Sequence, residues 1–241
     1  YMEKLNKDSS VPLYQQLVDD IKDQVIRGVL KPNDRIMPEM ELSKKYSVSR
    51  ITVRKAIELL VEDGLLIKRQ GIGTFVAEKK LTRNMNVLMG FTQNCEAAGC
   101  KAGTKFLSAD LIEASAADIR QLKLDEEDKV IRIRRLRYCD DALVVLEENH
   151  FPQKFAFLLG EDLNKSLHKL LLDHGIQLCS GIKNIDICYA TKEEANLLEV
   201  KENSALLLIK DITYDQNDEV VYSCKNITIP NRYSCTIVIN N

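Results

Sequence analysis

Arginine and hydroxyl residues lie close together near position 50 of the sequence. Arg50 and Arg54 are four residues apart, with Ser49 and Thr52 beside them. Four-residue spacing places two side chains on one face of a helix, and an arginine there can pair with a guanine edge or clamp a phosphate. Serine and threonine hydroxyls at a helix N-terminus suit phosphate oxygens. The spacing therefore predicts a surface that binds nucleic acid, with a solvated basic face as the alternative.

The charge balance limits where such binding can occur. The 241 residues include 34 lysines and arginines against 36 aspartates and glutamates, a net charge of −2. This balance excludes a globally basic nucleic-acid coat and an acidic tail protein, although it is compatible with a small basic region. Between Ser43 and Val76 only Glu58, Glu62 and Asp63 oppose seven cations, for a net charge of +4. The seven cations are Lys44, Lys45, Arg50, Arg54, Lys55, Lys68 and Arg69.

A second pair of arginines indicates a different kind of site. Arg135 and Arg137 lie two apart in the alternating stretch 130–138, so both side chains project from the same face of a predicted strand. Two guanidinium groups on one face repel each other unless an anion or a carboxylate lies between them. The residues leave two interpretations open, which are a pocket for an anionic ligand and ordinary cross-strand ion pairs with Glu147 or Glu148.

Several other chemistries lack support. The seven cysteines are an odd number and cannot all pair within one chain, so we expect buried thiols in a reducing cytoplasm. The cysteine spacings and the three histidines show no metal-ligand pattern, and no nucleophile motif of the G-x-S-x-G type occurs. Without a long apolar run or an apolar start at residues 1–4, neither a membrane span nor a secretory signal is expected.

The elements around the first arginine pair are predicted to be helical. Apolar residues recur at helical spacing between 13 and 25, residues 39–46 suit a short second helix, and Ser49 is placed to cap a third helix that ends at Gly64. Two short strands then bracket the turn 70–73. Three helices followed by a hairpin describe a winged helix-turn-helix, whose third helix enters the major groove of DNA.

The rest of the chain predicts a separate α+β domain. Capping-box sequences begin at Ser115 and Thr191, and another helix is expected from Ser166 to His174. We place the first domain at 1–78, a linker at 79–86 and the second domain at 87–241. The predicted strands, in antiparallel pairs, are 130–138, 142–151, 205–214 and 220–229.

The first domain resembles the N-terminal domain of GntR-type bacterial transcription regulators. The resemblance implies that the DNA-binding residues are Glu39, Ser49, Arg50, Thr52, Arg54, Gln70, Gly71 and Gly73. In the usual Pro-Ser-Glu entry to the second helix, Pro38 here replaces the capping serine, and Met40 stands where relatives often carry an arginine. The matching segments are 12–16, 26–36, 39–56, 64–66 and 70–76.

The second domain resembles the UTRA effector-binding domain of the HutC branch of this family. The matches include Phe91-Thr92, 130–138, 147–152, 190–195 and Asn231-Arg232-Tyr233. The resemblance implies a chorismate-lyase-like fold, a central antiparallel sheet with a ligand pocket, in which Arg135 and Arg137 hold an anionic effector. The effector-binding residues that it implies are Phe91, Thr92, Arg135, Arg137, Glu147, Ser166, His168, Tyr222 and Tyr233.

These observations together predict a cytoplasmic, homodimeric regulator that binds double-stranded operator DNA. We expect a repressor that is released by a small anionic metabolite such as a phosphorylated sugar, with no cofactor and no metal. Two-fold symmetry of the protein would match a palindromic operator. Two alternatives stay open at this point, namely an enzyme of the chorismate-lyase type and a constitutive DNA-binding dimer without an effector.

Overall fold

The computed structural model describes residues 5–77 and 80–239. The chain divides between Lys79 and Lys80 into two compact units, each with its own internal contacts. The chain start at residues 1–4, in which no signal was expected, and the expected end of the first domain at Glu78 lie outside the described residues. Among the described residues, no helix combines the length and apolarity needed to cross a membrane.

The first unit contains three helices followed by a β-hairpin, as the sequence predicts. Ser49 caps the third helix, since its hydroxyl accepts a hydrogen bond from the Thr52 amide at 3.1 Å. The second helix follows Pro38 and has no side-chain cap, which agrees with the loss of the serine at that position. The elements are α1 (Leu13–Ile26), α2 (Glu39–Tyr46), α3 (Arg50–Glu62), β1 (Leu66–Arg69) and β2 (Gly73–Val76).

One apolar core holds the first unit together. Val53, Ile57 and Leu60 on the inner face of α3 are buried against Leu17 and Ile21 of α1. Their spacing of three and four residues keeps them on one stripe of each helix. Because this stripe is buried, the residues between its members, including the arginines of α3, face outward.

The second unit is built on a six-stranded antiparallel sheet with strand order β4-β5-β6-β9-β8-β7. Short helices and a 3₁₀ segment at Gln153–Gly160 connect these strands. The helices are α4 (Phe91–Ala97), α5 (Ala116–Leu122), α6 (Leu167–Asp173) and α7 (Lys192–Leu198). The strands are β4 (Ala102–Glu113), β5 (Lys129–Cys139), β6 (Ala142–Pro152), β7 (Leu178–Tyr189), β8 (Ala205–Asp215) and β9 (Val220–Thr228).

The two faces of this sheet carry separate apolar clusters. Ile131 and Ile133 of β5 pack with the 3₁₀ segment and with α6, whereas Leu136 of the same strand packs in the cluster that contains α7 residues. Alternation along β5 therefore puts Arg135 and Arg137 on the face that is covered by α6.

The structure corrects the expected linker at 79–86. Residues 81–84 form a strand, β3 (Leu81–Asn84), which pairs in parallel with β10 (Tyr233–Thr236) near the C-terminus. The polar, charged sequence of this segment predicted an irregular connection. Pairing with a strand about 150 residues away in sequence orders it instead, and local composition does not reveal such a partner.

The expectation of free, buried cysteines holds for Cys95 and Cys224 and is wrong for the other five, of which Cys188 and Cys235 are free but only half-buried. Cys100 and Cys139 are joined as a disulfide, with their Cα atoms 6.0 Å apart, and Cys179 is exposed. Cys100 precedes β4 and Cys139 ends β5, so the antiparallel pairing of these two strands brings the two residues together.

Candidate functional site

The N-terminal end of α3 is exposed and carries the first predicted arginine pair. Arg50 and Arg54 both face solvent, and Arg54 donates to a Glu39 carboxylate oxygen at 3.2 Å. This contact raises the Arg54 pKa through the hydrogen bond and the charge of Glu39. Glu39 therefore orients one arginine, while Arg50 extends at the helix end where it can reach a groove of DNA.

The two hydroxyl residues at this helix end contact each other. The Ser49 and Thr52 oxygens lie 2.8 Å apart, in addition to the bond that caps the helix. The N-cap role expected of Ser49 is therefore present. It does not exclude a phosphate contact, because the exposed helix end still presents amide and hydroxyl groups to solvent.

The hairpin β1–β2 forms a wing with an exposed tip. Gln70, Gly71 and Ile72 are all exposed. Gly73 has a φ of +144°, which a larger residue rarely adopts, and a Cβ atom there would lie 2.7 Å from Nε of Arg35 and push that side chain aside. The predicted tip residues thus form one accessible turn.

Sequence reasoning missed apolar residues beside these polar groups. Ile51 is 80% exposed at the start of α3, and Met40 is 57% exposed in α2. The sequence could have revealed Ile51, because this apolar residue does not share the helical spacing of the buried residues Val53, Ile57 and Leu60. In a DNA groove such a side chain can contact a thymine methyl group.

The second unit contains a pocket that most of the predicted effector residues line. It has about 570 Å³ of space not filled by atoms, including its open mouth. Thr92 does not line the pocket, but its hydroxyl accepts a hydrogen bond from Arg137 at 3.1 Å. The predicted residues that line it are Phe91, Arg135, Arg137, Glu147, Ser166, His168, Tyr222 and Tyr233.

The second arginine pair makes the cross-strand ion pair that was one of its two interpretations. Arg135 Nε donates to Glu147 at 2.9 Å, and Arg137 lies 3.6 Å from the same carboxylate oxygen. Arg135 also donates to the main-chain oxygens of Leu163 and Lys165. The cross-strand ion pair therefore exists, and it forms one wall of the pocket.

Arg137 has less counter-charge than its burial demands. Its side chain is 2% exposed, and its Nε has no hydrogen-bond partner among the described residues. Burial lowers the pKa of Arg137 to about 10, although the charge of Glu147 raises it, and the charge of Arg135 lowers it further. One carboxylate shared by two guanidinium groups leaves a positive site that an anion would stabilise.

The start of α6 supplies the opposite wall. Ser166 caps this helix by accepting from the Lys169 amide, and His168 Nε2 lies 3.1 Å from the Tyr222 hydroxyl. Burial lowers the pKa of His168 to about 4, and the charges of Arg83, Lys183 and Arg135 also lower it. His168 is therefore neutral at pH 7 and serves the pocket as a hydrogen-bonding group rather than as a cation.

Several polar residues of the pocket were not predicted. Asp211 is held by Lys183 at 2.6 Å through one oxygen, while its other oxygen has no partner among the described residues. The signal available in the sequence was polar residues within apolar strands, a pattern that is uncommon unless such residues line a cavity. The pocket residues that sequence reasoning missed include Arg83, Asn149, Asp211 and Asn226.

An arginine-bearing helix end with a wing, and a polar pocket in a separate unit, define a ligand-responsive DNA-binding regulator. Comparison with known protein families agrees, since bacterial regulatory proteins of the gntR family match residues 13–76 and the UTRA domain matches residues 97–234. The chain belongs to the gntR family and carries a UTRA domain as its second unit. The family resemblance and the fold class expected from the sequence are thereby confirmed.

Relatives cover nearly the whole chain. The repressor NagR of Bacillus subtilis is 30% identical over 236 residues, covering 95% of this chain and 96% of NagR. The mannosyl-D-glycerate transport/metabolism system repressor MngR of Escherichia coli is 31% identical over 198 residues, covering 82% of this chain and 80% of MngR. The crystal structure of PhnF from Mycobacterium smegmatis is similar with a TM-score of 0.74 and 25% identity, covering 94% of this chain and 98% of PhnF.

The comparisons decide against the enzyme alternative. Relatives and structural neighbours across both units are transcriptional regulators. Similarity of the sheet to a chorismate-lyase-like fold does not by itself imply enzymatic activity, because activity depends on the residues of the site. The chain is therefore a regulator and not an enzyme.

Proposed function

We propose that this chain is a cytoplasmic transcriptional repressor that leaves its operator when a small anionic metabolite, such as a phosphorylated sugar, binds the second unit. The observation that carries the proposal is Arg137, a buried guanidinium in a pocket where Glu147 is shared between two arginines. An anionic group of a ligand supplies the missing counter-charge. Charge-assisted hydrogen bonds to arginine are among the strongest that proteins make.

The DNA-binding role is assigned to α3 and the wing. Arg50 reads base edges or clamps a phosphate, while Arg54, oriented by Glu39, contacts the backbone. The wing tip approaches the minor groove, where its small residues permit close contact. The residues proposed to contact DNA are Glu39, Ser49, Arg50, Thr52, Arg54, Gln70, Gly71 and Gly73.

The effector is assigned to a polar, carbohydrate-like class. The phosphate is expected at Arg135, Arg137 and the Ser166 end of α6, where a hydroxyl and helix amides add donors. Asn149 Nδ2 and Asp211 Oδ1, which have no hydrogen-bond partner among residues 5–77 and 80–239, offer a donor and an acceptor for sugar hydroxyls. The name of MngR, which refers to mannosyl-D-glycerate, supports a carbohydrate-related ligand.

A homodimer is part of the proposal. Reading of a palindromic operator requires two copies of the first unit. The edge strand β7 exposes Ile185, Ile187 and Tyr189, whose alternate positions place them on one face. An exposed apolar stripe on an edge strand is suited to cover by a second copy of the chain.

Thermal unfolding with and without candidate ligands tests the effector assignment. We expect glucose 6-phosphate or another phosphorylated hexose to stabilise the protein by about 2.7 kcal/mol at a hundred times its dissociation constant, while the unphosphorylated sugars stabilise it less. Arg135→Ala and Ser166→Ala should reduce this stabilisation and leave DNA binding intact. Arg134→Ala, on the opposite face of the same strand, is the matched control and should retain it.

Two results would contradict the effector assignment. If no phosphorylated sugar stabilises the wild-type protein, this ligand class is wrong, and the constitutive dimer without an effector becomes the better account. If Arg135→Ala and Ser166→Ala respond at wild-type concentrations, the ligand binds elsewhere.

A further inference from the structure

Arg83 occupies an unusual place in the chain. It lies on β3, the strand that begins the second unit, a few residues after the end of the DNA-binding unit. β3 pairs in parallel with β10, and Arg83 stands opposite Cys235 in that pairing. Two residues earlier in β3, Leu81 stands opposite Tyr233, which also lines the pocket.

The Arg83 side chain turns into the pocket. One terminal nitrogen donates to the main-chain oxygen of Met89 at 2.8 Å, and the side chain lines the cavity together with Tyr233 and Asp211. Its Nε is buried and has no hydrogen-bond partner within the part of the chain that the structure describes. A guanidinium has five donors, so it retains hydrogen-bonding capacity toward the cavity.

A buried donor on a charged group is costly when it is left unsatisfied. Among the charged pocket residues, Arg83, Arg135 and Arg137 outnumber Glu147 and Asp211. Asp211 is in turn held by Lys183. Burial lowers the pKa of Arg83, but the charge of Asp211 and a hydrogen bond with Tyr233 raise it. The three arginines still exceed the two carboxylates of the pocket by one charge, which an anionic ligand would balance.

We propose that Arg83 contacts the anionic effector directly and couples occupancy of the pocket to β3, the segment that continues into the DNA-binding unit. This inference rests on the proposed function and adds the residue that communicates binding. Coupling requires the ligand to interact differently with the DNA-binding and released forms. A ligand contact on the connecting strand provides such a difference, whereas contacts confined to β5 and α6 provide affinity alone.

The test separates affinity from coupling with three variants of the full-length protein. Arg83→Gln keeps the length and a neutral donor, Arg120→Gln on the exposed face of α5 is the matched control, and Ser166→Ala weakens the pocket away from β3. Calorimetry with inorganic phosphate and with glucose 6-phosphate gives affinity. Fluorescence anisotropy of a labelled operator at saturating ligand gives release.

We expect Arg83→Gln to bind both probes at least tenfold more weakly and to stay on the operator even when the pocket is saturated. Ser166→Ala should bind more weakly but release fully at saturation, and Arg120→Gln should match the wild type. Wild-type affinity in Arg83→Gln, or full release of this variant at saturation, would overturn the inference while leaving the proposed function intact. A wild-type protein that binds neither probe would overturn both.

Discussion

Two arginines that share one carboxylate explain most of the pocket chemistry at the level of single residues. Glu147 is buried, yet its pKa lies below the ordinary value, because the charges of Arg135 and Arg137 outweigh the raising effect of burial. Glu147 thus stays ionised and holds Arg135 in place. Arg137 then faces the cavity with its charge only partly balanced, which suits it to bind an anion.

The depressed pKa of His168 has a consequence for acid stability. Its pKa falls from 6.5 to about 4 in the folded protein, chiefly through burial. Because the folded protein disfavours protonated His168, this residue contributes fully to the free energy of unfolding above its pKa in the unfolded chain. The contribution is lost as the pH falls through its pKa in the folded protein. Urea unfolding should show the wild type losing about 2 kcal/mol more than His168→Gln between about pH 7.5 and pH 5.

Comparison with the variant isolates His168 from other groups that titrate in this range. His150 behaves oppositely, since its contacts with Glu148 and Asp118 raise its pKa despite burial, and its contribution is present at low pH and lost as the pH rises. Equal pH dependence in wild type and His168→Gln would show that His168 is not held neutral by the fold.

Among the secondary-structure elements, the packing of helix α4 against helix α6 shapes the pocket. Gly90 caps the N-terminus of α4 and lies against the His168 ring of α6, where a Cβ atom would be 3.0 Å from Cγ. The position lacks room for a larger residue, although its backbone conformation is accessible to any residue. The close approach of α4 and α6 therefore depends on glycine.

Gly90→Ala should disturb the pocket without unfolding the domain. The added methyl group pushes the His168 ring by a few tenths of an ångström, which also shifts the partner of Tyr222. We expect effector affinity, measured by calorimetry, to fall several-fold while operator affinity is retained. Gly160→Ala, where a Cβ atom meets nothing within 4 Å, is the control, and an equal effect of both substitutions would argue against this packing role.

The elements that sequence patterns predicted well are those with a buried face. The helices of the first unit, the wing and the inner strands β5, β6, β8 and β9 all carry regular apolar stripes or alternation. The missed strands β4 and β7 are the two edges of the sheet and contain no fully buried residue. In β7 the alternation of Ile185, Ile187 and Tyr189 was an available signal, but these side chains are exposed and do not form a buried face.

Candidate residues were predictable to a similar extent. Arg135 and Arg137 were found because their spacing on a strand is informative by itself, and the family resemblance supplied Phe91 and Ser166. Arg83 could not be found, because it reaches the pocket through the pairing of β3 with a strand about 150 residues away. Tertiary pairing of this kind leaves no local pattern in the sequence.

At the scale of the whole molecule, the chain consists of two units with separate cores. This separation permits one unit to hold DNA while the other binds a ligand. Release then requires the ligand to prefer the form that does not fit the operator. A preference of about 100-fold, or about 2.7 kcal/mol, would lower operator affinity by the same factor.

The most direct measurement is a titration of wild type and Arg50→Ala onto a palindromic duplex selected by the protein from random DNA, with and without the stabilising sugar phosphate, at fixed salt. We expect Arg50→Ala to bind about 1–3 kcal/mol more weakly than the wild type, and the ligand to lower wild-type affinity at least tenfold. Equal affinities for both proteins, or a wild-type affinity that saturating ligand leaves unchanged, would contradict the account.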